Sequence, residues 1–196
     1  MPKIVDHQQR KEKIAEAAWT VIREKGIKGA SVRNIAQACG LSLGALRHYF
    51  TTQEELLIFT MNSVKERAEA RIAYVYEQPL PMLEKILGIL YELLPTDENK
   101  RAEMEVWFEF TAHLRSENAS FDAEHDGILS ICQTVIQALA THDVLLPNLS
   151  ISLEIERLYA LIDGLALHAL LDSKRLPSEQ MKQTVAYHLQ QICRAE

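Results

Sequence analysis

Apolar residues recur along this chain at steps of three and four and rarely alternate, a periodicity that predicts helices rather than strands. Glycine and proline mark the places where each helix stops. Ile14, Ala17, Ala18, Val21 and Ile22 form the stripe of a first helix, running from Asp6 or His7 to Lys25. Asp6-x-x-Gln9 has the form of a capping box at its start, and Gly26 followed by Ile27 has the form of a Schellman exit. Two short helices lie within 31–50. Thr52-x-x-Glu55 opens a fourth helix over about 53–77, ended by Pro79 and Pro81. The fifth carries Leu83, Ile86, Leu87, Leu90 and Leu94 and stops at Pro95. The sixth, about 98–116, holds Met104, Trp107, Phe108, Phe110, Thr111 and Leu114. Helices over about 119–141 and 150–172 and one from Leu176-Pro177-Ser178 to near Cys193 complete nine.

The two short helices are the most informative stretch. Val32, Ile35, Ala36 and Cys39 share one face, and Gly40 sits where a chain leaving a helix takes a left-handed turn. Leu41 is an apolar plug for the corner, and Ser42 is a good N-cap for the second of the pair. Helix, glycine turn and second helix read as a helix-turn-helix, whose second helix is built to enter a DNA major groove. Gly44 and Ala45 are small enough to let that helix approach the groove floor, where the Ala45 methyl and Leu43 can meet thymine methyls.

Charge supports the division. Residues 1–50 hold nine Lys/Arg against four acids, a net +5, whereas the rest of the chain carries −11 of the overall −6. A basic head on an acidic body suits a DNA-binding module attached to a part that stays off DNA. Lys3, Arg10, Lys11 and Lys13 read as a solvated basic face adding non-specific attraction. No apolar run approaches the roughly 18 residues of a membrane span, and Met1–Asp6 lacks a signal-peptide core, so a cytoplasmic location without membrane contact is expected. Cys39, Cys132 and Cys193 are too scattered for a disulfide framework or a zinc site and read as buried thiols. Hydrolase, phosphate-loop and metalloprotease motifs are absent, so no catalytic residue and no cofactor is expected.

Gly40-Leu-Ser-Leu-Gly-Ala-Leu-Arg-His-Tyr-Phe-Thr-Thr-Gln-Glu-Glu-Leu56 resembles the recognition helix and fourth-helix start of the TetR family of bacterial transcriptional regulators. Ile14-Ala-Glu-Ala-Ala18, Gly26 and Ser31-Val-Arg-Asn-Ile-Ala36 match that family's first two helices. Ala160-Leu-Ile-Asp-Gly-Leu-Ala-Leu-His-Ala-Leu-Leu171, then Leu176-Pro177, resembles the C-terminal domain of its BetI-type branch. The resemblance implies an all-α homodimer. A three-helix head, residues 1–50 and running into the first turns of helix four, would bind a palindromic double-stranded operator, and a six-helix body, residues 51–196, would dimerise and hold a small-molecule effector. It implies that the DNA-facing positions are Arg33 on helix two, and Ser42, Leu43, Gly44, Ala45, Arg47, His48 and Tyr49 on helix three. Gln53 at the start of helix four would meet phosphate. The chain departs from the family where many members have Lys at the positions of Leu43 and Gln53, and often Tyr at that of Arg47. Salt dependence and operator preference should therefore differ.

In the body, Tyr91, Met104, Trp107, Phe110 and Thr111 are the candidate pocket wall. An acidic body with aromatics suits a cationic effector; an apolar pocket within a solvated acidic surface is the preferred reading. Glu105, Glu109 and His113 share a helix face, with Glu124, His125 and Asp126 near in sequence, but read as solvated charges rather than metal ligands. Ala160, Gly164 and His168 step by four along helix eight; the small residues among them permit close helix approach, as in a subunit interface built with helix nine, with internal packing onto helix seven as the alternative. A repressor released by its effector is the leading reading. A ligand-independent dimer, an activator and an all-helical enzyme are the alternatives.

Overall fold

A computed structural model describes residues 7–116 and 126–194, leaving out the side chains of Ile27 and of 113–116. Lys3, Asp6, Glu124 and His125 lie outside the described residues. Within them the chain is all-α: α1 (His7–Gly29), α2 (Val32–Ala38), α3 (Leu43–Arg47), α4 (Gln53–Glu77), α5 (Met82–Glu92), α6 (Glu98–Ser116), α7 (Gly127–Thr141), α8 (Ile151–Leu171) and α9 (Ser178–Ile192). Gly26, at φ +68°, breaks the helical backbone inside α1 where the sequence predicts its end. The described part of α7 begins later than the expected 119, because the buried Asp126 carboxylate accepts the Ile128 and Leu129 N–H groups and caps the helix there.

The chain forms two compact units. One holds Met1–Arg67 with Glu105–Ser120; the other holds Ala68–Met104 with Phe121–Glu196. The first takes in α4 as far as Arg67 and most of α6. Its core joins Ile14, Ala18 and Ile22 of α1 to Ile35, Leu46, Phe50, Leu56 and Val106. Burying Leu46 and Phe50, both essentially unexposed, anchors the short α3, which has too few residues to be stable alone.

The second unit is centred on Leu90, Leu94, Ile136, Leu139, Leu158, Ile162 and Val185. Its α5 comes close to the last turns of α4 because Gly88 has no side chain: a Cβ there would sit 2.8 Å from Val75 Cγ1. The same two helices are tied by charge. Arg71 of α4 donates to Glu92 of α5 at 2.9 Å and to both carboxylate oxygens of Glu103 of α6 at 3.2 and 2.7 Å. Lys100 closes the set on Glu92 at 2.9 Å. Glu103 is only 8% exposed, so loss of Arg71 leaves a largely desolvated carboxylate without its ion partner. Arg71→Ala is expected to lower unfolding free energy by about 2–3 kcal/mol, the loss of a largely buried ion pair. Thermal denaturation followed by circular dichroism reads it, and an unchanged Tm would show the network to be solvent-screened.

Candidate nucleic-acid interface

Local hydrogen bonds build the head's outer face. Ser31 Oγ accepts the Asn34 N–H at 3.2 Å and caps α2. At its other end the Gly40 N–H donates to Gln37 O and the Leu41 N–H to Ala36 O, a Schellman exit made possible by Gly40 at φ +65°. Ser42 Oγ then accepts the Ala45 N–H at 3.1 Å and caps the start of α3. Thr52 Oγ1 accepts from Glu55 N–H, and the Glu55 carboxylate reaches back to Thr51 N–H. With Leu46 turned into the core, Gly44, Arg47 and His48 are exposed, and Leu43, Ala45 and Tyr49 are half-buried. Arg33 on α2 and Gln53 at the start of α4 are also exposed. Nothing lies within 4 Å of a Cβ built on Gly44, so internal packing does not require its smallness. Open space over the middle of a short helix is what a groove floor needs.

Electrostatics favour an anion here. None of α1, α2 and α3 has an acid in its first turn; of the later helices α5, α6, α8 and α9 each have one and α7 has none. Helix N-termini carry positive partial charge, and first-turn carboxylates cancel it. α4 differs: Glu54 and Glu55 flank Gln53, so a phosphate meeting Gln53 meets two carboxylates as well. The basic face expected on α1 is only partly solvated. The Lys11 ammonium lies over the Phe50 and Phe59 rings, 5.1 and 5.6 Å from their centroids, a cation–π contact that holds it beside the end of α3. His7, which belongs to no motif of the sequence, packs its ring on Tyr49 and His48.

The five residues expected to wall a pocket are divided between the units. Tyr91 and Met104 belong to the second, where the Tyr91 hydroxyl donates to Lys182 O and Met104 is buried. Trp107 and Phe110 pack against the head core, and Thr111 in the same unit donates to Phe108 O. Of the residues expected at a subunit interface, Ala160 and His168 are exposed and Gly164 is half-buried. They lie beside Leu153, Leu167 and Leu171, which are 64%, 42% and 75% exposed in the single chain. Steps of 153, 160, 164, 167 and 171 fall on one stripe of α8. A Cβ on Gly164 would meet nothing within 4 Å. Tyr187 on α9 is likewise 63% exposed.

Two polar clusters of the second unit were not visible in the sequence, because their members come together only when α7, α8 and α9 pack. The Tyr159 hydroxyl donates to Asp126 at 2.5 Å, and burial together with the Asp126 charge pushes the Asp163 carboxyl up to about 6. On α8, Arg157 pairs with the buried Glu154, and burial pushes the neighbouring His188 down, aided by Arg157 and opposed by Glu154. The raised Asp163 has a definite sign. The folded chain holds that proton more tightly than the unfolded chain between its usual 3.8 and about 6. Stability from this group is therefore greatest at low pH, falls as pH rises through that window, and stays low above it. Asp163→Asn is expected to stabilise the protein near pH 7.5 by about 1–2 kcal/mol, discounted for solvent access, and to make little difference near pH 4. Melting curves at the two pH values check this; equal effects at both would contradict it.

A capped, glycine-turned pair of helices with an exposed second helix defines a helix-turn-helix DNA-binding protein. Residues 14–58 match the family described as bacterial regulatory proteins, tetR family, and residues 82–194 match the BetI-type transcriptional repressor C-terminal domain. The chain belongs to the TetR family of transcriptional regulators. It is 51% identical over 193 residues to the HTH-type transcriptional regulator PksA of Bacillus subtilis (strain 168), covering 98% of this chain and 94% of that one. A transcriptional regulator from Rhodococcus sp. Rha1 superposes with a TM-score of 0.80 at 26% identity, over 93% and 95% of the two chains. A regulator from Saccharomonospora viridis, solved in complex with choline, has the same fold: TM-score 0.79 at 19% identity, over 96% of this chain and all 100% of that one. These relatives are transcriptional regulators, not enzymes. No helix among the described residues is long and apolar enough to cross a membrane.

Proposed function

We propose that this regulator is a homodimeric repressor that binds a palindromic operator through two copies of α3 and is released by a small-molecule effector held in the BetI-type domain. The observation that carries the reading is the exposed recognition face of the head: Arg33, Gly44, Arg47 and His48 are all exposed, and nothing in the protein lies within 4 Å of a Cβ built on Gly44. Arg33 and Arg47 are the long donors on this face and supply base-edge or phosphate contacts. Leu43, Ala45 and Tyr49 flank them, and Ser42 and Gln53 stand at the starts of α3 and α4.

The exposed stripe of α8 with Tyr187 of α9 supports a two-fold interface, in which the small Ala160 and Gly164 let the partner's helix come close and His168 lies beside them. For the effector, Tyr91 and Met104 are the candidate contacts within the second unit. The choline of the Saccharomonospora viridis relative and the acidic balance outside the head support screening quaternary ammonium compounds beside apolar ones. Release requires the effector to favour the DNA-free dimer, because a ligand shifts an equilibrium only by its differential affinity.

The test is retardation of fragments flanking the protein's own gene, then titration of the shifted complex with choline and with an apolar compound set. A complex dissolved by a compound that binds free protein more tightly supports the reading. Equal affinity of that compound for free and operator-bound protein contradicts effector release.

A further inference from the structure

Three aromatic rings meet on the outer side of the head. His7, in the first turn of α1, packs on Tyr49 with centroids 4.7 Å apart, and its ring lies 5.7 Å from that of His48. His48 and Tyr49 are themselves 5.6 Å apart. Both imidazoles are exposed, and Tyr49, which touches both, is half-buried. The contact places a residue some forty positions upstream of α3 beside the very end of that helix.

We propose that His7 belongs to the DNA interface, and that His7 and His48 together form an imidazole pair that grips operator phosphate. The proposal rests on α3 being the recognition helix. Tyr49 packs against both rings and supports the pair from one side. A neutral imidazole offers one N–H donor and an imidazolium offers two. A phosphate beside the pair favours the protonated form, as any nearby anion does. Operator binding through this pair therefore takes up protons, and affinity rises as pH falls across the range in which histidine changes charge.

The surrounding charges are of both signs, with the basic groups on α1 and α3. On α1, Arg10 and Lys11 are basic, Lys11 being held over Phe50 and Phe59, and Glu12 is engaged by Gln8. On α3, Arg47 precedes His48. On α4, Glu54 and Glu55 oppose an anion, and the Glu55 carboxylate is occupied by the Thr51 N–H. The first turn of the 23-residue α1 has no acid to oppose an anion.

The experiment measures affinity for a labelled duplex carrying the footprinted repeat, by fluorescence anisotropy, between pH 6 and 8 and over a salt series. His7→Phe keeps a ring against Tyr49 but removes the donors, and His48→Gln removes the other half. Wild-type affinity is expected to rise severalfold from pH 8 to pH 6 at fixed salt. The rise should shrink to about half in His7→Phe and vanish in the double variant, and the salt slope at pH 6 should fall by about 0.9 for each phosphate no longer neutralised. Circular dichroism confirms that the variants fold.

A His7→Phe protein with the wild-type pH profile and salt slope overturns the proposal while leaving the recognition-helix reading intact. A wild-type protein that makes no specific complex, or an Arg33→Ala, Arg47→Ala variant that binds unchanged, overturns both. A His7→Phe loss of affinity that is equal at every pH and salt concentration assigns His7 a packing role only and also overturns it.

Discussion

Replacing Arg33 and Arg47 together by alanine is expected to weaken operator binding at least about a hundredfold while leaving the fold and the dimer unchanged. Each bidentate contact to a base edge is worth about 1–3 kcal/mol, and a dimer supplies every contact twice. Both side chains are exposed, so the core is undisturbed by their removal. The single variants divide the roles. An arginine that reads a base loses discrimination at one operator position, whereas one that holds phosphate weakens all sequences alike and lowers the salt slope by about 0.9. Anisotropy against the operator and against single-base variants separates the two. A double variant that binds as tightly as wild type would remove α2 and α3 from the interface.

The second large effect is expected on the α8 stripe. Leu167→Glu with Leu171→Glu should convert the dimer to monomer at micromolar concentration, read by sedimentation. Leu171 is 75% exposed in the single chain and Leu167 42%, so neither change disturbs that chain's own core. In an apposed pair of helices each would place charge where apolar area is buried, with its like-charged copy nearby. Operator affinity should fall in step, by about 10²–10⁴, because the two heads no longer share an effective concentration. A variant that stays dimeric would place the subunit interface elsewhere.

The features legible in the sequence are those set locally. Ser42, Thr52 with Glu55, and Gly40 act on backbone groups within a few residues, and each does in the structure what its position implies. Helix periodicity marks the elements for a related reason: it depends on neighbours three and four apart. Periodicity does not say which core an apolar face will cover. Trp107 and Phe110 look alike whether they wall a pocket or close the head, and they pack on the head. Contacts made over long sequence separations were hidden too. Tyr159 and Asp126 are 33 residues apart, and Arg71 meets Glu103 across 32. His7 carries no motif; only the packing of α1 against the end of α3 gives it a place beside His48.

Footprinting of the wild-type protein on the DNA flanking its own gene tests the central claim most directly. A two-fold dimer presenting two copies of α3 should protect an inverted repeat whose half-site centres lie about 34–36 Å apart, or a multiple of that distance. Protection of such a repeat, abolished in the Arg33→Ala, Arg47→Ala variant, is the result this account predicts. A folded dimer that protects no site at low salt, or protects one with no two-fold symmetry, would contradict it.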